Sequence, residues 1–378
     1  MENIRIDRDA SGPNETLGAR MARRGVSRRS FLKFASYMVS VMALPPSMAP
    51  AMAEGLQKAR RQSVIWLSFQ ECTGCSESIT RAHGTTIEDL IFDFISLDSF
   101  DVLQVASGVA AEEARKTAMR DNYGDYILVV EGSVSTRDGG IYSTVGGRTN
   151  MDSLAEAVEG AKAVVAVGTC ATFGGLPMAN PNPTGAVGVD TLVTDKPVIN
   201  IPGCPPVPEA MIGTLVYILS FGELPALDSR NRPLAFFGET IHDRCYRRPF
   251  YEAGKFAKSF DDEGARKGWC LYELGCKGPV AHNTCATLKW NGGISFPIQS
   301  GHGCFGCASP GFWDQGGFYK PLSASTTEPG LPEAAALAVG AAVGAGAALS
   351  ARERIAKVEA ETLTTEALKA RANAEDSK

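Results

Sequence analysis

Ten cysteines and one of four histidines carry the chemistry written in this 378-residue chain. Cys72 and Cys75 form a knuckle in Glu-Cys-Thr-Gly-Cys. Cys170 sits in Gly-Thr-Cys-Ala-Thr, and Cys204 in Pro-Gly-Cys-Pro-Pro. Each of these stretches follows a short apolar run, so all four thiols stand just beyond the carboxyl ends of strands. In an open α/β sheet that edge is where ligands bind. Four thiolates converging there from three loops make an all-cysteine metal site. Zinc and a 4Fe–4S cluster both accept four thiolates. A structural zinc site usually pairs two knuckles, whereas here one knuckle joins two widely separated cysteines, which favours iron–sulfur. Zinc and disulfides remain the alternatives, and five disulfides are the ordinary reading of ten cysteines in an exported chain.

The other six cysteines fall later, with His242. His242-Asp-Arg-Cys245 places two ligands three residues apart, on one side of a turn or helix. Cys270 and Cys276 follow, then Cys285 and the knuckle Cys304-Phe-Gly-Cys307. Six thiols and one imidazole divide as four and three. His242, Cys245, Cys270 and Cys276 would hold a four-iron cubane. Cys285, Cys304 and Cys307 would hold a 3Fe–4S cluster, which lacks one corner iron. No thiol is then left over, a count that disulfides reproduce poorly. His83, His282 and His302 read as surface or hydrogen-bonding residues. Arg244, Arg247 and Arg248 form a positive docking edge near His242, a solvated face or a hydrogen-bonded surround.

The elements that must position these ligands are legible as buried strands. Ser63–Phe69, Tyr126–Val130, Ala163–Val167 and Pro197–Ile201 are short runs rich in Val and Ile, as strands covered on both faces are. Helical patterns such as Met151–Val158 and Pro208–Tyr217 lie between them. The alternation predicts an α/β fold, a doubly wound parallel sheet, over residues 63–235. From about Gly238 the strand pattern fades, and residues 236–322 form a smaller second domain. Gly139-Gly140 and Gly146-Gly147 read as turns. No strand–GxGxxG–helix unit is present, which argues against a dinucleotide site.

The N-terminus reads as an export signal set apart from the fold. Residues 1–26 are polar and charged. Arg28-Arg29 follows in Ser-Arg-Arg-Ser-Phe-Leu-Lys, then an apolar run from Phe34 to Leu44, then a small-x-small cleavage site at Ala51-Met52-Ala53. Paired arginines mark the twin-arginine type, a route for proteins folded before export. The expectation is a cofactor inserted inside the cell, removal of residues 1–53, and a periplasmic location. A Sec signal or a signal anchor is the alternative.

At these residues the chain closely resembles the small, electron-transferring subunit of the NiFe hydrogenases over most of residues 63–320. The motifs that carry the resemblance are Glu71–Ser78, Gly168–Thr172, Pro202–Pro206, His242–Cys245 and Pro297–Cys307. The resemblance implies a flavodoxin-like first domain with the proximal 4Fe–4S cluster on Cys72, Cys75, Cys170 and Cys204. It implies a mostly irregular second domain holding the medial 3Fe–4S and distal 4Fe–4S clusters, with Pro297 where a fourth medial ligand would stand. The nickel–iron centre belongs to a separate large subunit, so this chain holds no catalytic residue of its own. Hydrogen would be oxidised there, and electrons would leave through the clusters near His242. The external acceptor would be a cytochrome b, a cytochrome c or another iron–sulfur protein. Glu71 either meets the partner, relays protons or is an ordinary structural carboxylate. Oxygen-tolerant members carry two additional cysteines at positions matching Gly74 and Gly175, so the resemblance implies a standard proximal cubane and inhibition by oxygen.

The tail, 323–378, contains an uncharged stretch of Ala and Gly at 334–350. As a helix it would span about 26 Å at ~1.5 Å per residue, against about 30 Å for a bilayer core. It is either a marginal membrane anchor, with Arg352 and Arg354 on the cytoplasmic side, or a surface helix or flexible tail. The net charge of −5 and the absence of basic stretches beyond the N-terminus exclude a nucleic-acid partner. Two other classes compete: a free-standing ferredoxin-like carrier, and an exported disulfide-stabilised binding protein.

Overall fold

The computed structural model describes residues 15–314 and 318–322. The segment 334–350 lies outside the described residues. Among the described residues, no helix is long and apolar enough to cross a membrane. In chain order the main elements are helices α1 (Leu17–Arg23), α2 (Arg28–Val41) and α3 (Ala49–Lys58), strand β1 (Gln62–Ser68) and helix α4 (Gly74–Thr80). They continue with β2 (Ile95–Phe100), α5 (Gly108–Asp121), β3 (Tyr126–Glu131), α6 (Asn150–Glu159), β4 (Ala161–Val167), α7 (Gly168–Phe173), β5 (Val198–Ile201) and α8 (Pro208–Phe221).

The five strands form one parallel sheet in the order β2-β1-β3-β4-β5. This is the flavodoxin-like doubly wound order, in which all carboxyl ends share one edge. Residues alternate between two cores, as the two-residue period of a strand requires. Val64, Ile127, Val165 and Ile199 face α8. Ile65, Leu128, Val164 and Val198 face Met119 of α5 and Leu154 and Val158 of α6. Helix α8 is apolar around its whole circumference and is buried along nearly all its length.

Strand β2 is not among the strands that the sequence predicts. It is an edge strand whose sequence, Ile-Ser-Leu-Asp-Ser-Phe, alternates polar with apolar and is only partly buried. A search for continuous apolar runs passes over it.

The described part of the predicted signal packs onto the α/β domain in this full-length chain. Ser27 caps α2, its hydroxyl accepting from the Ser30 N–H at 3.2 Å. Phe31, Ala35, Met38 and Met42 then fall at helical spacing and are buried in the α8 core. Phe34 stacks on Phe94 at 4.8 Å, and Arg24 pairs with Asp93. Arg28 and Arg29 stay exposed, whereas Met52 and Ala53 of the expected cleavage site are buried within α3. The amphipathic face of α2 is the reason that the segment settles on the fold rather than standing clear of it.

After α8 the chain becomes irregular. From residue 238 to 314 no described helix exceeds five residues. A third core of Val207, Ile241, Ala257, Leu271, Phe296 and Ile298 includes Cys276 and Cys285. Tyr251, Phe256 and Tyr272 pack edge-on or tilted beside it, with centroids 5.4–6.1 Å apart.

Candidate metal centres

The first four thiols meet where the parallel strands end. Cys75 rides on the first turn of α4, which begins directly after the loop from β1. Glu131, the last residue of β3, lies beneath that turn and is 1% exposed. Its carboxylate accepts from the N–H of Cys75 at 3.0 Å, from the N–H of Ser76 at 3.2 Å, and from the Ser76 hydroxyl. A helix N-terminus presents unpaired N–H groups, and a buried anion satisfies them. Apart from its place at a strand end, nothing in the sequence signals this residue's role. Cys170 follows β4 on α7, whose first residue Gly168 has φ +83°. A Cβ at Gly168 would lie 2.3 Å from the Cys75 sulfur, so only glycine lets the two loops close on each other.

Thr169 ties the remaining loops together. Its N–H donates to the Gly203 carbonyl at 2.8 Å, its hydroxyl accepts from the Gly203 N–H at 3.0 Å, and it donates to the Cys307 carbonyl. Burial pushes the Cys75 thiol well up, and Glu131 and the other three thiols add to the rise. Burial likewise lifts Cys170 to about 11 and Cys204 to about 12. The thiols thus stand close enough to oppose one another's ionisation. A metal would deprotonate them outright, and loading would release protons.

The later residues line two pockets. Cys285, Cys304 and Cys307 line a cavity of about 480 Å³ with Trp290, Phe296 and Pro297, and Cys204 lines it from the α/β side. Burial raises Cys285 to about 12. Pro297 brings no donor to this wall. His242, Cys245, Cys270 and Cys276 line a smaller pocket with Arg247 and Leu271. Burial, and then Arg248, lowers the His242 pKa, which favours the neutral imidazole that a metal needs. The two groups touch: the Cys276 sulfur accepts from the Cys304 N–H at 3.3 Å and from the Gly278 N–H at 3.4 Å.

All ten cysteines are free, so the disulfide alternative finds no pair. Among the described residues, no three His, Cys, Asp or Glu side chains gather tightly enough to hold a single metal ion.

The surface or hydrogen-bonding reading of the other histidines fits. His83 is exposed against Gly292. His282 Nδ1 lies 3.0 Å from the Phe237 carbonyl, and His302 Nδ1 lies 2.8 Å from the Gly303 carbonyl while its ring stacks on Phe305. Arg244 and Arg248 lie on the solvated face, whereas Arg247 is buried beside the His242 pocket. Arg244 forks onto Glu239, Arg248 pairs with Glu252, and Arg247 is buried. Glu71 is half-buried beside the knuckle. Burial and then Glu131 raise its pKa, and Thr73 donates to it at 3.3 Å.

Gly74 and Gly175 differ in what they can accept. A Cβ at Gly74 would meet the Cys72 sulfur at 3.1 Å, which can turn aside, and the Pro205 Cβ at an ordinary 4.0 Å. At Gly175, φ is +55° and a Cβ would lie 2.6 Å from the Cys170 sulfur and 2.8 Å from the Cys170 backbone. Gly175→Cys should therefore cost about 2 kcal/mol more than Gly74→Cys. Comparison of the two denaturant midpoints checks this, and equal midpoints would contradict it.

Two family models match the chain. That of the NADH ubiquinone oxidoreductase 20 kDa subunit matches residues 72–218, and that of the C-terminal region of the NiFe/NiFeSe hydrogenase small subunit matches residues 237–320. The uptake hydrogenase small subunit of Azotobacter vinelandii is 46% identical over 348 residues, covering 91% of this chain and 96% of that protein. The hydrogenase-1 small chain of Citrobacter freundii is 47% identical over 306 residues, 81% of this chain and 82% of that one. The fold superposes on a chain of the reduced, active Ni-Fe-Se hydrogenase from Desulfomicrobium baculatum with a TM-score of 0.66 and 35% identity, covering 69% of this chain and all of that one. Sheet order, thiol placement and likeness along nearly the whole length agree: this chain belongs to the NiFe hydrogenase small-subunit family.

Proposed function

We propose that this protein is the electron-transferring subunit of a periplasm-facing hydrogenase, working as a heterodimer with a large NiFe subunit in the reversible oxidation of H2 to protons and electrons. Iron–sulfur clusters, when bound, supply one-electron carriers whose potentials are set by charge, hydrogen bonding and exposure. Cys72, Cys75, Cys170 and Cys204 would hold the proximal 4Fe–4S. Cys285, Cys304 and Cys307 would hold the medial 3Fe–4S. His242, Cys245, Cys270 and Cys276 would hold the distal 4Fe–4S.

The observation that carries this reading is the unbroken contact between the three ligand groups. Thr169 joins the Cys204 loop to the Cys307 carbonyl, and the Cys304 N–H meets the Cys276 sulfur. Ligand loops in contact keep carriers within reach of one another. The partner's docking surface fits the carboxyl edge of the sheet. Cys72 and Cys204 are exposed there, and Leu176 (54%), Met178 (45%), Ile141 (60%) and Tyr142 (50%) present apolar surface in the loops of that edge. Electrons leave near His242, to a cytochrome or another redox protein.

Export by the twin-arginine route, with association at the membrane through 334–350, completes the proposal, since a subunit loaded with clusters must fold before it crosses. Glycine at 74 and 175 supports a standard proximal cluster and inhibition by oxygen. The test is the enzyme purified without oxygen. About eleven irons per small subunit, with matching acid-labile sulfide and a 3Fe–4S EPR signal in the oxidised form, are expected. Zinc in place of iron would overturn the reading.

A further inference from the structure

The segment that reads as an export signal is fitted to the α/β domain. Helix α3 runs against α8, and a Cβ at Gly55 would lie 1.8 Å from the Ser220 carbonyl oxygen, so the two backbones meet there with no room for a side chain. Helix α2 runs past the loop after α4, and a Cβ at Gly84 of that loop would lie 2.0 Å from the Tyr37 ring. One glycine belongs to the segment and the other to the domain, and each makes room for the opposite surface. The ends of the segment are tied as well. Arg24 pairs with Asp93, a buried carboxylate of the domain, and the Leu17 N–H donates to the Ala59 carbonyl at 2.7 Å.

This contact hides what an export route and a peptidase would have to reach. In the apolar run, Ala35, Met38, Val39 and Met42 are buried against the domain. The expected cleavage site is buried too, and the bond after Ala53 lies inside α3. Cutting needs exposed, mobile backbone. Helix α3 must therefore leave α8 and unwind before that bond is reached, a local opening with its own free energy.

We infer that α8 and the loop after α4 form a latch for the export segment. In the folded full-length chain the latch closes both the apolar run and the cleavage site, and both are released together when the segment lifts off α8. The inference rests on the export reading proposed above. It adds that the folded domain itself controls when the segment can be read and cut.

The experiment measures how fast a purified signal peptidase cuts the folded full-length chain, against a short peptide spanning the bond after Ala53. The chain is used unmodified and carrying Ala35→Asp, Leu32→Asp or Asp93→Asn. Ala35 is buried and Leu32 is 45% exposed on the same helix. Cutting of a protected bond tracks the population of the open form, so the unmodified chain should be cut at least about tenfold more slowly than the peptide. Ala35→Asp should speed cutting by about tenfold or more, because a buried unpaired carboxylate opposes the closed form. Leu32→Asp, which takes more apolar surface out of the segment, should leave the rate near the unmodified one. Asp93→Asn lies outside the segment and should raise the rate about twofold to fivefold by removing the partner of Arg24. Equal rates in Ala35→Asp and Leu32→Asp would overturn the latch, as would a chain cut as fast as the peptide. If Ala35→Asp unfolds the domain, Asp93→Asn decides, and an unchanged rate there overturns the latch. If the peptide itself is not cut, the export reading fails and the latch with it, an outcome distinct from peptide and chain being cut alike.

Discussion

A heterodimer carrying Cys75→Ser should contain about four fewer irons and should fail to pass electrons from hydrogen to any external acceptor. Serine is nearly the shape of cysteine, so packing around α4 is kept. The N–H of residue 75 still reaches Glu131, because that bond is made by the backbone. What changes is the donor atom: a hard hydroxyl replaces a soft thiolate, and Fe–S clusters are held by thiolates. The position also lacks a substitute. Cys72, Cys170 and Cys204 are already committed to the same site, and the other thiols lie in the second domain. On the proposed assignment, loss at the first carrier would cut the path before it begins, whereas loss at the distal site would leave the first two carriers in place. Iron and acid-labile sulfide content, with hydrogen-dependent dye reduction, checks this. Full activity with unchanged iron would remove Cys75 from the ligand set.

The chemistry is more legible in the sequence than the scaffold that holds it. Cysteine is scarce and its spacing is conspicuous, so candidate groups can be drawn from the sequence; the fold lines one cavity with Cys285, Cys304 and Cys307 and another with His242, Cys245, Cys270 and Cys276. Strands β1, β3, β4 and β5 are visible because burial on both faces leaves nearly uninterrupted Val and Ile. Strand β2 escapes because it is only partly covered, with polar Ser96 and Asp98 half-buried on either side of Leu97, whereas β5 at the opposite edge is buried throughout. The packing of α2 and α3 escapes because an apolar run behind two arginines carries the same pattern whether it awaits a translocon or lies on α8. Thr169 and Glu131 escape for another reason. Their roles depend on atoms brought together from distant parts of the chain, Thr169 with Cys307 and Glu131 with Cys75, and no local spacing marks such pairs. The pairing of Arg244 with Glu239 and the burial of Arg247 are likewise tertiary facts that no local spacing marks.

Glu131→Ala should destabilise the subunit by about 3 kcal/mol or more, whereas Glu131→Gln should cost roughly 1 kcal/mol. The carboxylate accepts two backbone N–H groups and one hydroxyl in a place that water does not reach. Alanine removes every acceptor at once. The Ser76 hydroxyl can turn elsewhere, but the two N–H groups at the start of α4 cannot, and each buried unpaired donor costs about 1–3 kcal/mol. The cavity left by the side chain adds to that. Glutamine keeps one acceptor oxygen, and its amide can be placed away from the helix, so one or both N–H bonds survive without the charge. The consequence reaches the metal site, because the turn that Glu131 holds is the turn that aims the Cys75 sulfur toward Gly168. Glu131→Ala should therefore lower both the denaturant midpoint and the proximal iron occupancy, and Glu131→Gln should restore both to near the unmodified values. If alanine lowered stability but left occupancy intact, the carboxylate would support the helix without positioning the ligand. If glutamine proved as damaging as alanine, the negative charge rather than the acceptor would be what α4 requires.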